Sequence, residues 1–195
     1  MRLKRADYEN GRYYHFYNRG AHRQSIFREP DNYLYVLKKM QTYVQEFCIA
    51  VIAYCLLPNH YHFLLRQDGD QPASFIPQRT FNSYSKAYNK RYQHSGTLFE
   101  GNFEVKPVND EPYLLHLCKY IHANPLKHGL VKTVDEWPYS NYHEWMQTRA
   151  GKLVDHQFVN DFFPDRQDYA ADVRAYALGQ KHWPEAMNGY FYDDV

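Results

Sequence analysis

No stretch of this sequence stays apolar for the roughly 20 residues that a membrane-spanning helix requires. The N-terminus is basic and then polar, and no apolar core of a signal peptide follows it. Cysteine is scarce: Cys48, Cys55 and Cys118 are odd in number and show no CxxC spacing. Each lies among apolar residues, so we expect buried thiols in a reducing compartment and a soluble cytoplasmic protein.

A strong net charge is also lacking, because the total of +1 gives no argument for a nucleic-acid partner. The distribution is more informative. Seven Lys/Arg stand against three Asp/Glu in residues 1–29, eight against four in residues 79–132, and four against eight in residues 151–195. This asymmetry fits a basic working face and an acidic tail, although solvated surface charge is the commoner cause of any one cluster.

Aromatic residues, in contrast, are abundant. Tyrosine, phenylalanine and tryptophan make up 18% of the 195 residues, with 20 tyrosines among them. Such rings serve either as core residues with a polar tip or as platforms on which bases stack, and composition does not separate these roles. The length suits one domain with an appendage.

The hydrophobic pattern predicts alternating strands and helices, with no internal repeat. Strands are expected at residues 12–18, 47–57 and 60–66, helices at 30–45, 78–92 and 111–123, and a hairpin or irregular edge strand at 98–108. Residues 47–57 are nearly all apolar, as in a strand covered on both faces. Asn124 and Pro125 are expected to stop the last of these helices.

This order predicts an α+β fold with a ferredoxin-like, split β-α-β core. We expect an antiparallel sheet with helices on one face. Residues 1–136 would form this domain, and residues 137–195 a C-terminal extension packed on the core, helical over residues 168–178.

Two histidines follow the turn at Pro58 and Asn59. Side chains alternate along a strand, so His60 and His62 point to one face and Tyr61 to the other. Both imidazoles could then reach one divalent cation. With 11 histidines in the chain, a half-exposed polar strand face is the more ordinary explanation of this pair taken alone.

The helix at residues 111–123 has an apolar stripe and, beside it, a line that includes Tyr120 and Asn124, one turn apart. A tyrosine phenolate next to a cation can cleave a phosphodiester and form a covalent phosphotyrosine. Two structural explanations stay open here: Tyr120 as a residue at the edge of the core, and Asn124 as the end of the helix.

The two motifs together resemble a known family. Residues 56–65, LLPNHYHFLL, are similar to the HUH signature of single-tyrosine, IS200-like transposases. Residues 120–131, YIHANPLKHGLV, resemble the tyrosine helix of that family. Residues 137–142, WPYSNY, and the Asn18-Arg19-Gly20 end of the first strand are similar to the REP-associated tyrosine transposases. The resemblance extends over roughly residues 13–142.

The resemblance implies that His60, His62 and Asn124 bind Mg²⁺ or Mn²⁺ and that Tyr120 is the nucleophile. Some relatives have glutamine at the position of Asn124, and the position of Tyr61 is hydrophobic in the family. The implied function is cleavage and rejoining of single-stranded DNA that carries a hairpin, through a 5′-phosphotyrosine. We expect a protein that acts as a monomer or homodimer in the cytoplasm, associated with the nucleoid.

A basic face is expected to hold the DNA. Arg79, Lys86 and Lys90 form a polar stripe on the predicted helix at 78–92, which Arg91 extends. Arg19 and Arg23, after the first strand, could contact a hairpin. Two other functions stay open: a catalytically silent nucleic-acid-binding module, and a metal-dependent phosphodiesterase that uses water.

Overall fold

The structure is a computed structural model that describes residues 8–182. The first basic residues and the end of the acidic tail lie outside the described residues. The order of elements is β1 (Tyr13–Arg19), α1 (Pro30–Phe47), β2 (Ile49–Leu57), β3 (His60–Gln67), α2 (Phe75–Tyr92), β4 (Glu104–Val108), α3 (Glu111–Lys127), α4 (Tyr142–Trp145), α5 (His156–Phe162) and α6 (Arg166–Ala177).

The four strands form one antiparallel sheet in the order β2-β3-β1-β4. This order follows from two β-α-β units that interlock, and it confirms the predicted ferredoxin-like core. The predicted hairpin at 98–108 is irregular before β4, where only Phe99 makes an isolated bridge, to Gly20.

The two helices of the predicted core, α1 and α2, lie together on one face of the sheet as expected, and α3 with the later helices covers the other face. One apolar cluster joins α1 and α2 to side chains such as Tyr54, Tyr61 and Phe63. A second cluster, on the opposite face, joins α3 and the later helices to residues such as Ile52 and Leu64. The physical reason is visible in β2, because its nearly continuous apolar run must be covered on both sides.

Helix α3 continues past its expected end. Pro125 lies inside it and is buried, although proline removes one helical hydrogen bond. The helix ends instead at Lys127, and Gly129 follows it with a φ of 65°, the left-handed conformation that glycine adopts most easily. The N–H groups of His128 and Gly129 bond to the last carbonyls, those of Asn124 and Leu126. The predicted helix stop at Asn124 and Pro125 is therefore wrong.

Residues after 136 cover the edge of the sheet that β2 forms. Strand β2 is an edge strand, and the N–H of Leu56 donates to the carbonyl of Tyr139 at 2.9 Å. The indole N–H groups of Trp137 and Trp145 donate to the carbonyls of Leu56 and Ile52 on the same strand. These bonds satisfy backbone N–H and C=O groups of β2 that would otherwise be open to pairing with another chain. The division of the chain at residue 136 into two domains stays a prediction.

Two of the three cysteines are buried as expected. Cys48 is exposed at the end of α1, where its backbone is in the left-handed conformation with φ of 51°. Among residues 8–182 no helix combines the length and the apolar character that crossing a membrane demands.

His122 ties α3 to the rest of the molecule. Its Nε2 lies 2.9 Å from Oδ1 of Asn141, and its Nδ1 lies 2.7 Å from the hydroxyl of Tyr169. The Asn141 oxygen also accepts from the N–H of Tyr54. An amide oxygen only accepts, so Nε2 of His122 carries the proton and Nδ1 accepts from the phenol. This neutral imidazole links α3, β2 and α6.

Burial lowers the pKa of His122 to about 4. Below the ordinary imidazole pKa the unfolded chain takes up a proton that the folded chain does not. The free energy of unfolding should therefore fall as pH drops from about 6.5 to about 4, by about 3 kcal/mol from this residue. Urea titrations across this range measure the change.

The control is His122→Gln, whose amide has similar reach but does not titrate. Its unfolding free energy should be lower at neutral pH and flatter with pH. An equally steep loss of stability in this variant would mean that His122 is not the group responsible.

Candidate active site

Strand β3 places the two histidines of the HYH triplet side by side. His60 and His62 lie on the sheet face that α3 covers, and Tyr61 lies in the opposite core, as alternation requires. The two imidazole ring centroids are 5.2 Å apart. His60 is 5% exposed and His62 is 0% exposed, so the explanation of a half-exposed polar face does not hold.

Both histidines have polar contacts at Nδ1. Nδ1 of His60 lies 2.7 Å from Oδ1 of Asn59, in the turn between β2 and β3. Nδ1 of His62 lies 3.1 Å from Nε2 of His15, a buried residue of β1. The Nε2 atoms of both rings are buried inside the protein. His15 was not predicted from the sequence, and Asn59 was predicted only as part of the turn before His60.

Helix α3 brings Tyr120 to these rings. The helix starts at a proper cap, since the Asp110 side chain accepts from the N–H of Tyr113 at 2.7 Å. Its apolar stripe packs on the sheet, which fixes its rotation. The Tyr120 ring centroid lies 5.5 Å from that of His62, at an interplanar angle of 80°. Tyr120 is 0% exposed, so its oxygen is enclosed in the structure.

Asn124 lies one turn beyond Tyr120 and is fully buried. Its Nδ2 donates to the carbonyl of Tyr120 at 2.8 Å, which fixes the orientation of the amide. Its Oδ1 is buried and accepts no hydrogen bond in the structure. An unsatisfied buried oxygen costs about 1–3 kcal/mol, and this oxygen has a lone pair with which it could bind a ligand.

The donor set fits a divalent cation. Within residues 8–182 no three His, Cys, Asp or Glu side chains come close enough together to hold a metal ion. A cation bound by His60 and His62 would need a further ligand of another type, and the Oδ1 of Asn124 has the chemistry of such a ligand. Imidazole nitrogens combined with a neutral oxygen and open positions for water are compatible with Mn²⁺ or Mg²⁺.

Three basic side chains lie near this site, and none of them was predicted from the sequence as a functional residue. Lys127 Nζ lies 5.4 Å from the ring centroid of Tyr120, and the His128 ring lies 5.3 Å from that of His60. Lys106 Nζ lies 5.7 Å from the ring of Tyr17. Lys127 could have been found, because a residue seven positions after Tyr120 shares its helix face. The position of Lys106 near the site depends on how β4 pairs with β1, which the sequence does not reveal.

Burial lowers the pKa of Lys106, and the nearby Glu104 carboxylate opposes this change. The side chain is half-buried on the sheet face that carries His62. A partly desolvated ammonium group gains more from an approaching phosphate than a fully hydrated one does.

The predicted DNA-binding residues on helix α2 lie elsewhere. Helix α2 packs on the sheet face opposite to Tyr120. Lys86 and Lys90 are exposed on it, with no ion pair to any residue between 8 and 182, and the Arg79 guanidinium lies 5.6 Å from the ring of Phe75. They do not face the site with Tyr120.

Two of the predicted arginines are partly neutralised. Arg19 forms an ion pair with Glu100, and Arg91 forms ion pairs with Glu29 and Asp31. Arg23 is exposed in the turn after β1. Arg19 on β1 lies directly opposite His60 on β3. This predicted basic residue is therefore close to the two histidines.

Comparison with known proteins supports a common origin. The sequence profile of the family described as Transposase IS200 like matches residues 9–124. A protein of Haemophilus influenzae named as a REP-associated tyrosine transposase is 30% identical over 110 residues, which are 51% of this chain and 62% of that protein. The chain thus spans less than two thirds of this relative. The REP-associated tyrosine transposase of Escherichia coli is 25% identical over 133 residues, 66% of this chain and 67% of that one.

A solved structure of a REP-associated tyrosine transposase bound to a REP hairpin has the same fold. Its TM-score is 0.63 at 21% sequence identity, over 80% of this chain and 94% of that chain. The relatives are named as tyrosine transposases, which are enzymes of the HUH single-tyrosine type. The profile match covers the HYH triplet, Tyr120 and Asn124 and more than half of the chain, and the chain therefore belongs to the IS200-like transposase family.

Proposed function

We propose that this protein cleaves and rejoins single-stranded DNA through a covalent 5′-phosphotyrosine on Tyr120. The observation that carries the proposal is the placement of Tyr120 beside His62, with the Asn124 oxygen one turn away. Hairpin-bearing DNA is the proposed substrate, because a relative with the same fold was solved with a REP hairpin.

His60, His62 and Asn124 would hold one Mg²⁺ or Mn²⁺ ion. When bound, such an ion polarises the scissile phosphate and stabilises the charge that develops on it. The histidines must be neutral to bind a cation, because a protonated imidazole has no lone pair for a metal.

The chemistry of the step follows from the residues. The phenol of Tyr120 loses its proton, and its oxygen attacks phosphorus in line with the leaving 3′-oxygen. The new bond joins the tyrosine oxygen to the 5′-phosphate, the bond from phosphorus to the 3′-oxygen breaks, and that oxygen takes up a proton. Attack by a different 3′-hydroxyl reverses the step and joins two strands without an external energy source.

Lys127 is placed to assist. Its ammonium group lies over the Tyr120 ring and would favour the phenolate and the negative charge of the incoming phosphate. Because Tyr120 is fully enclosed, DNA binding must be accompanied by a movement that uncovers its oxygen. Helix α3, whose C-terminal end carries Lys127 and the exposed His128, leads from the site to the surface.

The DNA contacts divide between two surfaces. We propose that Lys106 and Lys127 contact phosphates at the scissile strand, since they lie on the sheet face of Tyr120. Lys86 and Lys90, on the far face, would contact a different part of the substrate, such as the stem of the hairpin.

The central prediction concerns the covalent intermediate. Hairpin-forming single-stranded oligonucleotides from the DNA that flanks the gene, incubated with Mn²⁺ or Mg²⁺, should give a protein–DNA species that resists denaturing electrophoresis. Tyr120→Phe should abolish it, because the nucleophilic oxygen is gone. His62→Ala should abolish metal-dependent cleavage while circular dichroism shows intact folding.

Tyr113→Phe is the matched control, since Tyr113 is a buried tyrosine on the same helix and its variant should keep forming the adduct. An adduct that persists in Tyr120→Phe contradicts the assignment. Cleavage without any adduct would indicate a water-using phosphodiesterase, and binding without cleavage a silent binding module.

A second prediction separates the two lysine surfaces. Affinity for DNA falls as salt rises, and the plot of log affinity against log salt has a negative slope. Lys106→Ala combined with Lys127→Ala should make this slope less steep by about 1 to 2 for an oligonucleotide without a hairpin, because two phosphate contacts are lost. Lys86→Ala combined with Lys90→Ala should make the slope less steep only when the hairpin is present. Fluorescence anisotropy at several salt concentrations measures both.

Equal slopes for the wild-type protein and the Lys86/Lys90 variant on hairpin DNA would remove α2 from the DNA surface. A wild-type slope for the Lys106/Lys127 variant would likewise exclude these two residues as phosphate contacts.

A further inference from the structure

The Nδ1 atoms of both candidate metal-binding histidines contact residues that lie outside the HYH triplet. Asn59 presents its side-chain oxygen to His60 at 2.7 Å. His15 presents Nε2 to His62 at 3.1 Å, with the two rings nearly parallel at 21°. His15 is 0% exposed, so water does not compete for this contact.

The fold fixes both contacts. In the antiparallel pairing of β1 and β3, His15 lies opposite Leu64 and Tyr17 opposite His62, so His15 is the diagonal neighbour of His62 on the same sheet face. Diagonal side chains of this length reach each other. Asn59 stands in the two-residue turn directly before His60, where the backbone of Asn59 also accepts from Gly20.

These contacts matter because a neutral imidazole has one N–H and one lone pair. Which nitrogen carries the proton is set by the hydrogen bond at the other nitrogen. Free histidine prefers the proton on Nε2, and that form has no lone pair at Nε2 for a metal. An acceptor at Nδ1 reverses this preference, raises the basicity of Nε2 and fixes the direction of the ring.

We infer that His15 and Asn59 are positioning residues that hold His62 and His60 in the Nδ1–H form, with both Nε2 lone pairs directed to one cation. Asn59 acts through an amide oxygen, which only accepts. His15 acts as a neutral imidazole whose Nε2 accepts. The inference rests on the metal site of the proposed function.

His15 does not serve as a ligand itself. Its Nε2 is engaged with the Nδ1 edge of His62, whereas a cation at His62 binds the opposite, Nε2 edge. The cation and His15 are therefore on different sides of the same ring. The absence of a group of three His, Cys, Asp or Glu ligands within the described residues agrees with this division.

Binding of Mn²⁺ to the otherwise metal-free protein, followed by electron paramagnetic resonance, tests the role of His15. His15→Phe keeps an aromatic ring but removes the acceptor, so affinity should fall about 10- to 100-fold. His15→Gln places an amide oxygen near the former Nε2 and should recover most of the affinity. Cys55→Ala, which changes the residue opposite His62 on β2, is the matched control and should bind as the wild type does.

A structural role alone would lower affinity in both His15 variants, and equal losses in His15→Phe and His15→Gln would overturn the inference. Unchanged affinity in His15→Phe would also overturn it.

The protonation pattern is a second, independent readout. Long-range ¹⁵N–¹H spectra of the metal-free protein, recorded well above the ordinary imidazole pKa, should show His60 and His62 with the proton on Nδ1. Asn59→Ala should move His60 to the Nε2–H form, and His15→Phe should do the same to His62. A wild-type protein with Nε2–H at His62 contradicts the inference.

This readout needs neither metal nor DNA, so it separates two failures. If the tautomers are as stated but Mn²⁺ does not bind, or no phosphotyrosine forms, the proposed function is wrong. If the adduct forms on Tyr120 but the tautomers differ, only the inference about His15 and Asn59 is wrong.

Discussion

The sheet is buried on both faces, and the candidate site exists because of this constraint. Helices α1 and α2 cover one face and α3 covers the other, so each residue of β3 is directed into one of two cores. Tyr61 enters the aromatic core with Phe81, at a ring distance of 4.0 Å. His60 and His62 must face α3, and the helix that covers them is the one that carries Tyr120.

The same burial explains the polar contacts around the site. An imidazole inside an apolar layer is costly unless its nitrogens have partners. His15, Asn59 and Asn141 supply such partners within the layer of α3. The oxygen of Asn124 has none in the structure, and this cost is tolerated where a ligand is expected. The polar side chains of the site are thus held by contacts inside the protein, and the phenol of Tyr120 is fully enclosed.

What could be predicted from the sequence depended on local patterns. The alternation of residues 60–62 along a strand and the one-turn spacing of Tyr120 and Asn124 are short-range features, and the structure places these residues as expected. The helix stop at Pro125 was wrong because burial and the left-handed Gly129 outweigh the proline.

Long-range features could not be read in the same way. His15 approaches His62 only through the register of β1 with β3, and Lys106 lies near the site only through β4. The basic stripe of α2 was correctly placed on a helix, but the side of the sheet on which that helix packs is a tertiary property. The apolar run of β2 did carry one such signal, since a strand covered on both faces requires a helix on each side.

The most direct measurement of the central claim is identification of the residue that carries the DNA. Protein incubated with a hairpin-bearing single strand and Mn²⁺ would be digested with protease and nuclease, and the peptides analysed by tandem mass spectrometry. The account predicts a 5′-nucleotide attached to the Tyr120 oxygen, in the peptide that also contains Asn124. Attachment to Tyr113 or any other residue, or cleaved DNA with no modified peptide, would contradict it.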